Sequence, residues 1–211
     1  MSKRDLIRNM IIIGILGLVL ITLRLFVFQP LWVSDQMANA SVKKDDLVLA
    51  TKKGKIDRTD LVLYHVKEKQ YLGRVIAIES DEVSYVDDVF YLNGVATAEP
   101  YLDKMKTKHL AAPSGDYFTN DFFSRELKGT KAGKVPSHSY LVLNDDRNNT
   151  KDSREFGYIQ ADQIEGVVDF RLYPLNKFGF VKEEEYSMTT IFSYKIATAE
   201  RNCSSFLFWL D

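Results

Sequence analysis

The sequence has little cysteine, little histidine and almost no net charge, and each shortage excludes a class of protein. Its 211 residues include one cysteine, Cys203, so no internal disulfide can staple the fold. The histidines (His65, His109 and His138) are scattered and match no zinc-binding spacing. A formal net charge of −1 argues against broad binding to nucleic-acid phosphates, which needs a basic excess. We therefore expect no metal, no cofactor and no nucleic-acid partner.

What the sequence does have is a long apolar run near its N-terminus. Residues 10–28 are mostly apolar and carry one charge, on Arg24; their number is close to the ~20 residues that a helix needs to span the hydrocarbon layer. Three basic residues and one acid precede the run, so the positive-inside rule places the N-terminus in the cytoplasm. We predict a cytoplasmic N-terminus at 1–9 and a transmembrane anchor at 10–29, making a single-pass protein of the cell membrane with an extracytoplasmic C-terminal domain.

Two other interpretations of the apolar run stay open. A cleavable signal peptide would have a shorter apolar core with a small-residue cleavage site close behind it. The small-residue pattern Ala38-Asn39-Ala40 exists, but it lies about ten residues beyond the run. A helix buried in a soluble core is the third interpretation. The length of the run favours the anchor.

From residue 42 onward the sequence is dominated by short segments rich in β-branched residues and bounded by turn residues, which is typical of strands. The predicted strands are 46–52, 60–66, 72–78, 83–86, 89–92, 139–143 and 164–171. Asn93-Gly94 predicts a type I′ hairpin, because both residues tolerate positive φ. The segment 103–134 predicts a long excursion with one short helix near 121–128. We predict a mainly antiparallel β domain over 30–182 and a C-terminal tail, 183–211, with no assigned role.

The segment 134–166 carries the most specific motif. Eight of its residues match, at fixed spacing, the box V-P-x-G-x-Y-x-x-x-G-D-N-x-x-x-S-x-D-S-R-x-x-G, so the sequence resembles the type I signal peptidases. The matching residues are Val135, Pro136, Tyr140, Asp145, Asp152, Ser153, Arg154 and Gly157.

Other boxes of that family follow in the expected order. Arg58-Thr59-Asp60-Leu61-Val62 resembles R-G-D-I-V, and Tyr71-Leu72-Gly73-Arg74-Val75-Ile76 resembles Y-[IL]-K-R-V-I. Glu99-Pro100-Tyr101-Leu102 also has a counterpart. The resemblance extends over about residues 5–181. It implies a signal-peptidase-like antiparallel β domain preceded by one N-terminal transmembrane helix.

The resemblance also implies a catalytic dyad, and the sequence departs from it there. Family members cleave preproteins with a serine nucleophile in S-x-S-M-x-P-T-L and a lysine general base. Anchoring the pattern on Met37 puts Gln36 at the serine position, or Asp35 if the alignment slips by one, and the lysine falls on Gly73. An amide is neither nucleophile nor base, and glycine has no side chain. This predicts a pseudoenzyme, a protein that is not an enzyme.

Two sets of residues follow from the resemblance as candidate sites. The predicted partner-binding cleft comprises Asp35, Gln36, Met37, Gly73 and Arg74. The predicted structural motif comprises Asp145, Arg147, Asp152, Ser153 and Arg154.

The degenerate positions are most similar to those of signal-peptidase-like proteins encoded beside pilus subunits and sortases in Gram-positive cocci, particularly streptococci. This implies a non-catalytic, chaperone-like role in pilus assembly at the cell surface, with a pilin subunit or a sortase as partner. Two alternatives stay open. One is an active membrane-bound serine-type peptidase with shifted catalytic residues, for which Ser34 or Ser41 could supply the hydroxyl and Lys43 or Lys44 the amine. The other is a regulator that competes with an active signal peptidase for substrates.

Overall fold

The structure is a computed structural model that describes residues 3–26, 28–52, 54–112, 116–127 and 133–181. The predicted C-terminal tail, 183–211, and with it Cys203, lies outside the described residues.

The chain begins with a helix, α1, from Lys3 to Phe26, and passes into a first strand, β1, from Phe28 to Trp32. The helix expected over 10–29 is therefore present, but it starts earlier, and its last expected residues belong to a strand. When the described residues are searched, no helix among them has both the length and the apolarity that a membrane crossing requires.

The rest of the described chain forms two antiparallel sheets. The larger sheet has the order β1-β2-β11-β3-β4-β9-β10, with β12 paired to β11, and the smaller has the order β7-β6-β5-β8. The remaining strands are β2 (Leu47–Thr51), β3 (Leu61–Val66), β4 (Lys69–Ala77), β5 (Val83–Val86), β6 (Val89–Leu92), β7 (Val95–Ala96), β8 (Phe122–Phe123), β9 (Ser139–Leu143), β10 (Ile159–Gln160), β11 (Ile164–Tyr173) and β12 (Gly179–Phe180). The predicted mainly antiparallel β fold is thus confirmed.

The turns of the smaller sheet follow the sequence closely. At the β6–β7 turn, Asn93 and Gly94 have φ of 53° and 77°, as the predicted type I′ hairpin requires. The β5–β6 turn has Asp87 and Asp88 at φ of 50° and 63°. Aspartate tolerates this left-handed region better than most residues, so acidic pairs can close tight hairpins here.

One local prediction is wrong. The short helix expected near 121–128 is instead β8, followed by a 3₁₀ turn at Ser124–Glu126. The helix of this region lies earlier, where α2 runs from Asp103 to Leu110. Phe122 and Phe123 pair with β5 in the smaller sheet. This tertiary pairing outweighs the local sequence pattern that predicted a helix.

The core covers both faces of the larger sheet. Leu61 and Leu63 of β3 pack in one cluster, and Val62 and Tyr64 pack in the cluster on the opposite face, because successive side chains of a strand alternate. A third cluster joins the smaller sheet to the ends of β4 and β9. Burying one large aliphatic side chain of this kind stabilises the fold by about 1.5–3 kcal/mol.

Candidate functional site

The segment that resembles the nucleophile box lies at the surface beside β4. Asp35, Gln36 and Met37 form a 3₁₀ turn, and Met37 packs against a core cluster that includes Leu72. The Asp35 carboxylate is 2.8 Å from the Lys44 amine in an exposed ion pair. That pair raises the pKa of Lys44, first by the hydrogen bond to Asp35 and then by the charge of Asp35. Gln36 is exposed on this turn.

Gly73 is in the interior of β4, paired with Val62. A Cβ atom at this position would lie 2.7 Å from Cγ1 of Val142 and 3.4 Å from Cε1 of Tyr64. Both neighbours are fully buried. The position thus faces the packed core, and no side chain fits there without moving Val142, so a lysine base has no room at residue 73 in this packing.

Arg74, the next residue, faces the other side of the sheet and is 1% exposed. Its Nε and Nη2 atoms each donate to the Asp145 carboxylate at 2.9 Å. Its Nη1 donates to the Thr59 carbonyl at 2.8 Å, and its Nη2 to the Ser41 hydroxyl at 3.0 Å. A bidentate pair of this kind is strong and geometrically fixed, so Arg74 ties β4 to the loop after β9 and to the segment around Ser41.

The loop after β9 is held by its own polar residues. The Asp152 carboxylate accepts from the Asn144 backbone at 2.9 Å and caps the short helix α3 (Ser153–Phe156) by accepting from the Arg154 backbone at 3.0 Å. The Arg154 guanidinium lies 2.6 Å from the same carboxylate. The Ser153 hydroxyl accepts from the Val142 backbone at 2.9 Å. These bonds fix the loop against β9.

A second buried ion pair lies beside the first. The Arg147 guanidinium contacts the Glu99 carboxylate, which also accepts from the hydroxyls of Tyr85 and Tyr101, each at 2.7 Å. Burial raises the pKa of both phenols well above the usual value. Burial lowers the pKa of Arg147, but the Glu99 carboxylate and the phenols outweigh it and the net pKa is raised. Both phenols therefore stay protonated and the Arg147 guanidinium stays charged at physiological pH.

Tyr101 joins the two ion pairs, because its ring lies 4.2 Å from the Arg74 guanidinium carbon. The network thus runs from the larger sheet through Tyr101 to Tyr85 in the smaller sheet. Sequence reasoning named Asp145 and Arg147 but missed Glu99 and Tyr85. The sequence signal that could have found them was the Glu99-Pro100-Tyr101-Leu102 box. A glutamate within a family box indicates a role, and here its partner is the buried Arg147.

Two cavities flank this network, and Ser41 lines both. One, of about 290 Å³, lies between the segment at Ala40 and the start of α2. The other, of about 240 Å³, is bordered by Thr59, Asp60 and Arg74. Neither cavity is lined by Gln36 or Gly73. Of the predicted cleft residues, Arg74 borders a cavity, Met37 packs into the core beneath the turn, and Gly73 faces the opposite side of the sheet.

Both donors and acceptors line the two cavities beside Ser41, the donors including Lys43 and Arg74. The Ser41 hydroxyl accepts from Arg74, and a guanidinium cannot serve as a general base because it does not deprotonate in proteins. Over the part of the chain that the structure describes, no group of three or more His, Cys, Asp or Glu residues could hold a metal ion.

Comparison with known proteins shows the family of this chain. The family model described as "Signal peptidase, peptidase S26" matches residues 6–173. The chain therefore belongs to the signal peptidase I family, peptidase S26.

Two relatives carry names that agree with this family. Signal peptidase IB of Staphylococcus aureus strain MRSA252 is 33% identical over 185 residues, which are 84% of this chain and 95% of that protein. Signal peptidase I of Bacillus caldolyticus is 36% identical over 167 residues, which are 77% of this chain and 88% of that protein. The crystal structure of a signal peptidase I from Enterococcus faecalis V583 covers 55% of this chain and 97% of its own, with 32% identity and a TM-score of 0.49.

These relatives overturn one prediction. The sequence interpretation based on Gln36, Asp35 and Gly73 made the chain a pseudoenzyme, whereas relatives at 33% and 36% identity are named signal peptidases, which indicates an enzyme. The prediction that the chain is not an enzyme is therefore wrong. It depended on two family positions carried over by sequence alone, the serine from the anchor at Met37 and the lysine from the box at Tyr71–Ile76.

Proposed function

We propose that the chain acts on exported precursor proteins, whose extended segment it binds beside the 34–41 segment and β4. The observation that carries this proposal is the match to the signal peptidase family over residues 6–173, together with the buried Arg74–Asp145 pair that fixes this region. Extended peptides are commonly bound by adding a strand to the edge of a sheet. β1 is at an edge of the larger sheet and leads directly into the 34–41 segment.

The finer part of the proposal concerns the precursor. We infer a pilin subunit, acting together with a sortase, as the exported partner, and a role in pilus assembly at the cell surface. The support is the sequence resemblance at Gln36, Asp35 and Gly73 to signal-peptidase-like proteins of pilus loci in Gram-positive cocci.

The proposed location is the cell membrane, with residues 10–29 as a single-pass anchor and the β domain on the outer side. The apolar side chains exposed along α1 support this, among them Ile11, Ile13 and Leu18. Trp32 and Tyr173 support it too. They are 60% and 49% exposed, with ring centroids 6.0 Å apart, and such aromatic residues favour the membrane interface.

The test uses the full chain, purified in detergent micelles and immobilised. Purified pilin precursor, sortase and an unrelated secreted preprotein are passed over it separately, and bound and released species are measured by mass spectrometry. The proposal expects retention or cleavage of the pilin precursor in preference to the unrelated preprotein. Equal behaviour of pilin and unrelated preprotein would contradict the pilus-specific part.

Cleavage by shifted catalytic residues is the reaction that the names of the relatives favour. The hydroxyls to examine are those of Ser34 and Ser41, and the amines are those of Lys43 and Lys44. If either serine is the nucleophile, its replacement by alanine removes a new N-terminus from the mass spectrum of the pilin, while Ser137→Ala, on an exposed turn, leaves it unchanged. Cleavage that survives Ser34→Ala and Ser41→Ala together would exclude both serines.

A further inference from the structure

The 290 Å³ cavity beside Ser41 is lined by three charged side chains, those of Lys43, Asp103 and Lys104. We call it the lysine pocket, defined by Ala40, Ser41, Lys43, Tyr101 and the first residues of α2, Asp103, Lys104 and Met105. Its volume is close to the lower end of the range for ligand sites, about 300 Å³. It is therefore large enough for one amino-acid side chain.

One wall of the lysine pocket is held in place by hydrogen bonds. The Asn39 side chain accepts from the Ser41 backbone at 2.9 Å, and the Asp145 carboxylate accepts from the Ala40 backbone at 3.2 Å. The Lys43 amine donates to the Asn39 carbonyl at 3.1 Å. An ammonium has three donors, so Lys43 keeps donors available for a ligand while one bond limits its motion.

The opposite wall is fixed by the buried network. The Tyr101 ring packs over Arg74 at 4.2 Å and its hydroxyl donates to Glu99 at 2.7 Å. Met105 follows in the first turns of α2 and gives the wall an apolar surface. A preorganised wall reduces the ordering cost of binding.

The net charge of the side chains lining the lysine pocket favours a negatively charged ligand. Two amines, Lys43 and Lys104, line it against one carboxylate, Asp103, which leaves a formal excess of one positive charge. Amine groups beside apolar walls pair best with a carboxylate, since charge-assisted hydrogen bonds are shorter and stronger than neutral ones.

We propose that the lysine pocket binds the side-chain carboxylate of an Asp or Glu in the extended peptide of the exported partner, and so sets sequence preference. This inference rests on the proposed function, because it needs a peptide bound beside the 34–41 segment. Ser41 connects the two, since it ends that segment and lines the pocket.

The test uses the full chain in detergent micelles and pools of fluorescent ten-residue peptides with amidated C-termini. In each pool one position is fixed as Asp, Asn, Leu or Lys and the others are mixed. We expect one position at which the Asp pool binds about tenfold more tightly than the Asn pool. A parallel set with free C-termini distinguishes a side-chain carboxylate from a terminal one, because a terminal carboxylate would tighten every pool equally.

The variants are Lys43→Met and Lys104→Met, with Lys108→Met, one helical turn beyond Lys104 and outside the pocket lining, as the matched control. Each pocket variant is expected to remove most of the Asp preference, and Lys108→Met to keep it. Binding of pools without an Asp preference, or equal loss in Lys108→Met, would overturn this inference and leave the proposed function standing. Absence of binding by every pool, and by the pilin precursor, would overturn the proposed function and this inference with it.

Discussion

At the residue scale, the packing around residue 73 requires a residue as small as glycine. Gly73→Lys would place a Cβ atom 2.7 Å from Val142, a stiff β-branched residue in the core. We expect the free energy of unfolding to fall by about 1–3 kcal/mol, the usual cost of overpacking. Chemical denaturation of the full chain in detergent, followed by intrinsic fluorescence, measures it.

Gly54→Lys is the matched control for that experiment. A Cβ atom at Gly54 has nothing within 4 Å, and the residue is exposed, so its replacement should change stability by less than about 0.5 kcal/mol. Equal stability of the two lysine variants would contradict the packing described around residue 73.

A second residue-scale prediction concerns the Arg74–Asp145 pair, in which both side chains are 1% exposed. Asp145→Leu leaves the guanidinium buried without its carboxylate and should cost about 3–5 kcal/mol. Adding Arg74→Met should restore part of that loss, because the uncompensated charge is then gone. If the double variant is less stable than Asp145→Leu alone, as measured by denaturation, the pair is not the source of the cost.

At the scale of elements, the strands were predictable because their patterns depend on short-range residue chemistry. The predicted strand 139–143 coincides with β9, and 60–66 differs from β3 by one residue. The region after β7 was not predictable in the same way. Lys104, Lys106 and Lys108 alternate along α2 and give its sequence little apolar pattern, so the helix carries almost no periodic signal.

The β6–β7 hairpin gives the prediction that belongs to this scale. Gly94 has φ of 77° with nothing near its missing Cβ, so Gly94→Ala should be destabilising by about 1 kcal/mol through backbone conformation alone. Gly54→Ala, for which no positive φ or close neighbour is found, should be neutral or slightly stabilising. An unchanged denaturation midpoint for Gly94→Ala would contradict the type I′ turn.

At the scale of the whole molecule, the family was predictable from sequence, whereas the arrangement of its site was not. The residues of the family boxes can be recognised from the sequence alone. The side of the sheet that a strand residue faces depends on the strands around it. Gly73 and Arg74 are adjacent in the predicted cleft, yet they face opposite sides of β4. The pairing of Glu99 with Arg147 joins distant segments and has no local signal.

The stability of the molecule should fall in acid, in part through Asp81. Burial raises the pKa of this carboxyl, but hydrogen bonds from Arg58 and Asn93 outweigh it and the net pKa is lowered. A lowered folded pKa gives stability that is present above the unfolded value, about 3.9, and is lost as the pH falls through the folded value. As the pH falls from about 5 to about 3, the range over which carboxyls titrate, the free energy of unfolding of Asp81→Asn should therefore fall by less than that of the wild type. Parallel curves for the two proteins would exclude Asp81 as a contributor.

The measurement that tests the central claim most directly is the binding of a fluorescently labelled pilin precursor to the full chain in micelles, followed by anisotropy, with the products identified by mass spectrometry. The account predicts saturable binding with a Kd on the order of micromolar, as for a short extended peptide in a groove, and competition by excess unlabelled precursor. Anisotropy that stays flat as the chain is added, with the precursor recovered intact, would contradict it.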